Sequence, residues 1–134
     1  MPVAKHKVCL IDDDNIYQFT ARKILESTGL AGEIKSFYNG KEAINYFKDE
    51  HNIQPETLPD VIFLDINMPV MNGWEFLEEY KSVHKTLPKP IVVYVVSSSI
   101  DDNDMRKSRQ YKLVSDYIVK PVNRDTYKEL MSNL

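Results

Sequence analysis

Val61-Ile62-Phe63-Leu64-Asp65-Ile66-Asn67-Met68-Pro69 runs from four apolar residues straight onto a carboxylate. Leu58-Pro59-Asp60 bounds the run on one side, and Pro69 with Asn72-Gly73 bounds it on the other. A short apolar run between turn residues reads as a strand covered on both faces. Asp65 then stands at the carboxyl end of that strand, the edge at which open α/β sheets bind ligands.

Working outward, the same grammar repeats. A strand over Lys7–Ile11 runs onto Asp12-Asp13-Asp14, and a helix follows Asn15 with Ile16, Phe19, Ile24 and Leu25 on or near one face. Gly29 is suited to end it. A strand over Glu33–Phe37 turns at Asn39-Gly40 into a helix from about Lys41 to Lys48, with Ala43, Ile44 and Phe47 inward. The connection from Asp49 to Pro59 is irregular and carries no evident chemistry. After Asn72-Gly73 a helix turns Trp74, Leu77, Tyr80 and Val83 toward the sheet, until Leu87-Pro88-Lys89-Pro90 breaks it. Ile91–Val96 is a strand ending on Ser97-Ser98-Ser99, and a polar helix spans Asp101 to about Lys112. Asp116–Val119 leads into Lys120-Pro121, and a last helix runs from Arg124 to Leu134. Five strand–helix alternations predict a doubly wound α/β fold, a parallel sheet with helices on both faces. The expectation is one domain over 1–134 with no effector domain attached.

Bulk composition narrows the function classes. The chain has 134 residues, 43% hydrophobic and 28% charged, which is ordinary for one globular domain. A net charge of −3 offers no basic field for nucleic acid. Cys9 is the single cysteine, set within Val8-Cys9-Leu10-Ile11, and reads as a small buried hydrophobe. Met1–Lys7 lacks the apolar core of a secretory leader, and no apolar stretch is long enough to span a bilayer. A cytoplasmic protein without membrane or nucleic-acid partners is expected. His6, His51 and His84 are scattered and have no evident site role.

Four strands each deliver polar residues at the carboxyl end: Asp12 and Asp13, Asp65, Ser97, and Lys120. In a parallel sheet these ends lie on one side, so the residues converge. Crowded carboxylates resist ionising unless a cation sits among them. An all-oxygen donor set with room for water suits Mg²⁺. The lysine ammonium and the serine hydroxyl can each bond a phosphoryl oxygen, and a carboxylate can act as nucleophile.

Asp12-Asp13, Leu64-Asp65-Ile66-Asn67-Met68-Pro69 with Met71-Asn72-Gly73, Val96-Ser97-Ser98, and Tyr117-Ile118-Val119-Lys120-Pro121 together resemble the receiver domain of two-component response regulators. The likeness covers nearly the whole chain, with every motif in order. It implies the flavodoxin-like, CheY-like fold with strand order 2-1-3-4-5. It also implies that Asp65 is the phosphoacceptor, charged by a sensor histidine kinase or a histidine phosphotransfer protein. Asp13, Asp65 and the backbone carbonyl of Asn67 are then the Mg²⁺ ligands, with Asp12 acting through water. Ser97 matches the switch hydroxyl (Ser98 is the alternative in a run of three serines), and Tyr117 the switch aromatic. Lys120 matches the lysine that pairs with the phosphoryl group, and the Lys120-Pro121 bond is expected cis. Serine at 97 stands where threonine is commoner, and Asn72 where Asp often precedes the glycine. Such a protein is not a conventional enzyme, and its downstream partner binds the face of the fourth helix, fifth strand and fifth helix. Two rivals are a metal-dependent phosphohydrolase with an aspartyl nucleophile and a receiver-like docking module that is never phosphorylated. The hydrolases place a second acid two residues after the nucleophile, where this chain has Asn67.

Overall fold

The structure, a computed structural model, describes residues 5–134. Residues 1–4, part of the stretch read for a leader, lie outside the described residues. The elements alternate: β1 (His6–Ile11), α1 (Asn15–Ser27), β2 (Ala31–Phe37), α2 (Gly40–Lys48), β3 (Val61–Leu64), α3 (Gly73–His84), β4 (Val92–Ser97), α4 (Asp102–Arg109), β5 (Val114–Val119) and α5 (Arg124–Ser132). The sheet has the order β2-β1-β3-β4-β5, with every pair parallel. This is the flavodoxin-like arrangement, and it puts β1 and β3 side by side at its centre.

Alternation along β3 divides the core. Ile62 and Leu64 face one layer with Ala43, Ile44 and Phe47 of α2 and Phe76, Leu77 and Tyr80 of α3. Val61 and Phe63 face the other, with Ala21 and Leu25 of α1 and Tyr127 and Met131 of α5. Fully burying a side chain of this kind stabilises the fold by roughly 1.5–3 kcal/mol. Each helix begins on an Asp or Asn whose side chain accepts amides of the first turn: Asp14, Asn39, Asn72, Asp101 and Asn123. Such caps contribute about 1 kcal/mol apiece and fix where each loop leaves the sheet's carboxyl edge. At α3 the cap is reciprocal, since Glu75 accepts the Asn72 N–H in return.

Two loop details bear on the site. Gly73 sits where a Cβ would lie 2.4 Å from the Asp65 carbonyl oxygen, so only a bare backbone fits there. Val70 has φ 67, a left-handed conformation that strains a β-branched residue, on the same loop.

The inner face of α1 differs from expectation. Ile16 is 79% exposed and Phe19 63% exposed, while Gln18, Ala21 and Leu25 are buried. Gln18 takes the inner position because its amide Nε2 donates to the carbonyls of Leu10, Asp12 and Phe37. Buried carbonyls at a strand end need such a donor. Elsewhere β5 starts two residues earlier than expected, α4 stops at Arg109, and a 3₁₀ turn at Glu50–Asn52 orders part of the Asp49–Pro59 connection. Among the described residues no helix is long and apolar enough to cross a membrane.

Candidate functional site

The centre of the sheet builds the site. Pairing of Ile11 with Leu64 aligns the ends of β1 and β3, and the Asp65 N–H donates to Ile11 O at 2.9 Å. Asp12 and Asp65 therefore leave the sheet as neighbours, and Asp13 follows on the loop. Each of the three offers a carboxylate oxygen, and these oxygens all lie within 4.8 Å of one another. Asp12 is 3% and Asp65 7% exposed, whereas Asp13 faces solvent.

Lys120 arrives from β5. Its N–H donates to Ser97 O at 2.8 Å, and the bond to Pro121 is cis. The side chain carries its ammonium inward, to 2.7 Å from Asp12 Oδ2 and 3.7 Å from Asp65 Oδ1. Asp12 is held from two sides, since its Oδ1 accepts the Asp14 N–H at 2.9 Å. Asp65 Oδ1 accepts the Ile66 N–H at 2.9 Å. Burial, then the neighbouring Asp12, pushes the Asp65 carboxyl up to about 6, against the pull of Lys120. Three hard oxygen donors this close together, one of them the buried Asp65, are what a small divalent cation binds, so the trio fits one.

Ser97 is fully buried at the end of β4, and its hydroxyl accepts the Ser99 N–H at 3.1 Å, while Ser98 is exposed. Of the two serines, only Ser97 is turned inside. Tyr117 is half-buried, and its hydroxyl donates to Ser99 O at 2.7 Å, tying β5 to the loop after β4. Asn67 is exposed on the loop after β3. Asp12, Asp13, Asp65 and Lys120 thus come together, while Ser97 ends β4 and Tyr117 lies on β5, both bonded to Ser99.

Two residues of the site escaped the sequence reading. Gln18 clamps the ends of β1 and β2 from below. Tyr17 lies with its ring centroid 4.0 Å from the Lys120 ammonium. Only the short spacing from Asp12 to the first turn of the helix hinted at either.

A flavodoxin-like sheet with an acidic trio and a lysine at its carboxyl edge defines the class. The family model of the response regulator receiver domain matches residues 8–132, and the chain belongs to that family. A two-component response regulator from Cytophaga hutchinsonii superposes with a TM-score of 0.83 at 31% identity, covering 97% of this chain and 99% of the other. The probable methanogenesis regulatory protein FilR2 of Methanothrix harundinacea is 27% identical over 95% of this chain and 79% of its own length. A protein-glutamate methylesterase/protein-glutamine glutaminase of Clostridium acetobutylicum is 34% identical over 87% of this chain. The match spans 31% of that relative's length, so its activity belongs to the larger protein.

Proposed function

We propose that this receiver domain accepts a phosphoryl group on Asp65 from a phosphohistidine of a sensor histidine kinase or a histidine phosphotransfer protein. The observation that carries the reading is the pocket itself: three carboxylates within 4.8 Å of one another, with the Lys120 ammonium against two of them.

Asp13, Asp65 and the backbone carbonyl of Asn67 would hold Mg²⁺, with Asp12 contributing through water. When bound, the cation neutralises charge on the transferring phosphoryl oxygens. Asp65 supplies the nucleophile. As a carboxylate oxygen bonds to phosphorus, the phosphorus–nitrogen bond breaks, and the imidazole leaves with that electron pair. The Ile66 N–H holds one carboxylate oxygen of Asp65, which fixes the direction of the other. Lys120 pairs with a phosphoryl oxygen, and the Ser97 hydroxyl donates to another. Tyr117 reads the loop between them through its bond to Ser99 O.

The added charge biases two packings of the edge loops, and the altered face of α4, β5 and α5 is read by a downstream protein in the cytoplasm. The protein is charged and discharged rather than turning over a substrate, so it is not a conventional enzyme.

Incubation with acetyl phosphate and Mg²⁺, followed by intact-mass measurement, tests the reading. The wild type is expected to gain one phosphoryl group, and Asp65→Asn none. Undiminished labelling of Asp65→Asn refutes the assignment. Steady release of phosphate from a small phosphomonoester would point instead to a hydrolase.

A further inference from the structure

The Lys120 ammonium is buried deeply enough to need its contacts defined, since its side chain is 17% exposed. Asp12 takes one side at 2.7 Å, and Asp65 stands farther off at 3.7 Å. The remaining side faces the ring of Tyr17 at 4.0 Å. Among the described residues four other lysines lie over aromatic rings, at 4.8 to 5.5 Å. The Tyr17 contact is shorter than all of them and involves a lysine of the acidic pocket. A cation gains most from a ring face where water is excluded.

The ring is itself held firmly. The Tyr17 N–H donates to Asp14 Oδ1 at 3.1 Å, which fixes it in the first turn of α1. Its hydroxyl bonds the Tyr127 hydroxyl of α5 at 3.2 Å. Tyr127 is 1% exposed and packs edge-on against Phe63, at 5.3 Å between centroids. Burial pushes the Tyr17 phenol well above its ordinary range, so the hydroxyl stays protonated.

A ring face differs from a third carboxylate or carbonyl in a useful way. It attracts the ammonium without offering a lone pair that would compete for its N–H groups. The ammonium stays in the pocket, donating to Asp12 and keeping its charge beside Asp65. We propose that Tyr17 is a positioning residue, whose ring face holds the Lys120 ammonium between Asp12 and Asp65 for reaction at the Asp65 carboxylate. The inference rests on Asp65 being the phosphoacceptor.

Two measurements test it. The first is made on the unphosphorylated protein: NMR shifts of the Lys120 ε-methylene protons, which a ring face moves upfield. An upfield shift is expected in the wild type and in Tyr17→Phe, and its loss in Tyr17→Leu. The second is the rate of labelling by acetyl phosphate, normalised to the folded fraction. Tyr17→Phe, which keeps the ring and loses the hydroxyl, is expected to retain the rate within about twofold, and Tyr17→Leu to lose about 3–10-fold. In a Lys120→Met background the Tyr17→Leu change is expected to have no further effect, as two residues acting through one contact require.

Ordinary random-coil shifts for the Lys120 ε protons in the wild type overturn the inference, and that result needs no folded Leu variant. So does wild-type labelling by Tyr17→Leu, or an undiminished loss in the Lys120→Met background. A tyrosine that merely fills space between α1 and α5 gives the opposite ranking in part, with Tyr17→Phe impaired by its broken hydroxyl pair. Failure of the wild type to label, or labelling of Asp65→Asn, sinks the phosphoacceptor reading, while the ring-current measurement still decides whether Tyr17 holds Lys120.

Discussion

Asp65 is a buried carboxyl placed beside another, and its titration has consequences. Its carboxyl is raised to about 6 in the folded protein, against about 3.9 for an unfolded chain. The folded state therefore holds the proton more tightly. This contribution to stability is fully present below about pH 4 and lost as pH rises through 6. In metal-free buffer, thermal melts of the wild type are expected to fall between pH 4 and 7 relative to Asp65→Asn. The difference is on the order of 2 kcal/mol at neutral pH in favour of the variant. Melts of the two proteins that run parallel across that window would contradict it. Gly73 gives a steric counterpart. A methyl there would press on the Asp65 carbonyl at 2.4 Å and the Ile66 Cα at 2.9 Å. Gly73→Ala is expected to cost about 1–3 kcal/mol in urea unfolding, because the obstructing atoms are backbone. The convergence of Asp12, Asp65 and Lys120 was legible in the sequence, since each follows an apolar run and parallel strands bring such ends together. Tyr17 was not. Nothing in the spacing of 17 and 120 records that a ring and an ammonium meet.

At the scale of elements, the apolar runs of β1, β3 and β4 announced the sheet because strands buried on both faces leave little room for polar residues. Helix faces were harder to read. Ile16 and Phe19 looked inward by hydrophobicity, yet Gln18 took the inner place by giving its amide to carbonyls at the strand ends. A hydrophobic pattern weighs transfer of side chains and is blind to the needs of backbone acceptors. The helices also differ in how firmly they are held. α3 buries Phe76, Leu77, Tyr80 and Val83, whereas α4 buries Ser108 alone. Little apolar contact means local opening at low free energy. In hydrogen exchange monitored by mass spectrometry, the amides of α4 are expected to exchange about tenfold or more faster than those of α3. Equal protection of the two helices would show that α4 is anchored by more than its side chains.

Across the whole molecule, a ligand that binds only the folded state stabilises it by mass action. Adding Mg²⁺ at ten times its dissociation constant, at pH 7, is expected to stabilise the wild type by about 1.4 kcal/mol. Asp13→Asn is expected to lose most of that gain in a thermal-shift assay, and an equal gain in both proteins would exclude Asp13 as a ligand. The same charge relief should flatten the pH dependence argued for Asp65. Ile62 and Leu64 belong to one apolar layer and Val61 and Phe63 to the other, so the sheet keeps α2 and α3 from touching the interior of α1 and α5. The two halves are like facing pages that meet only along a spine. The acidic edge lies at the end of that spine, where β1 and β3 leave the sheet between the two layers.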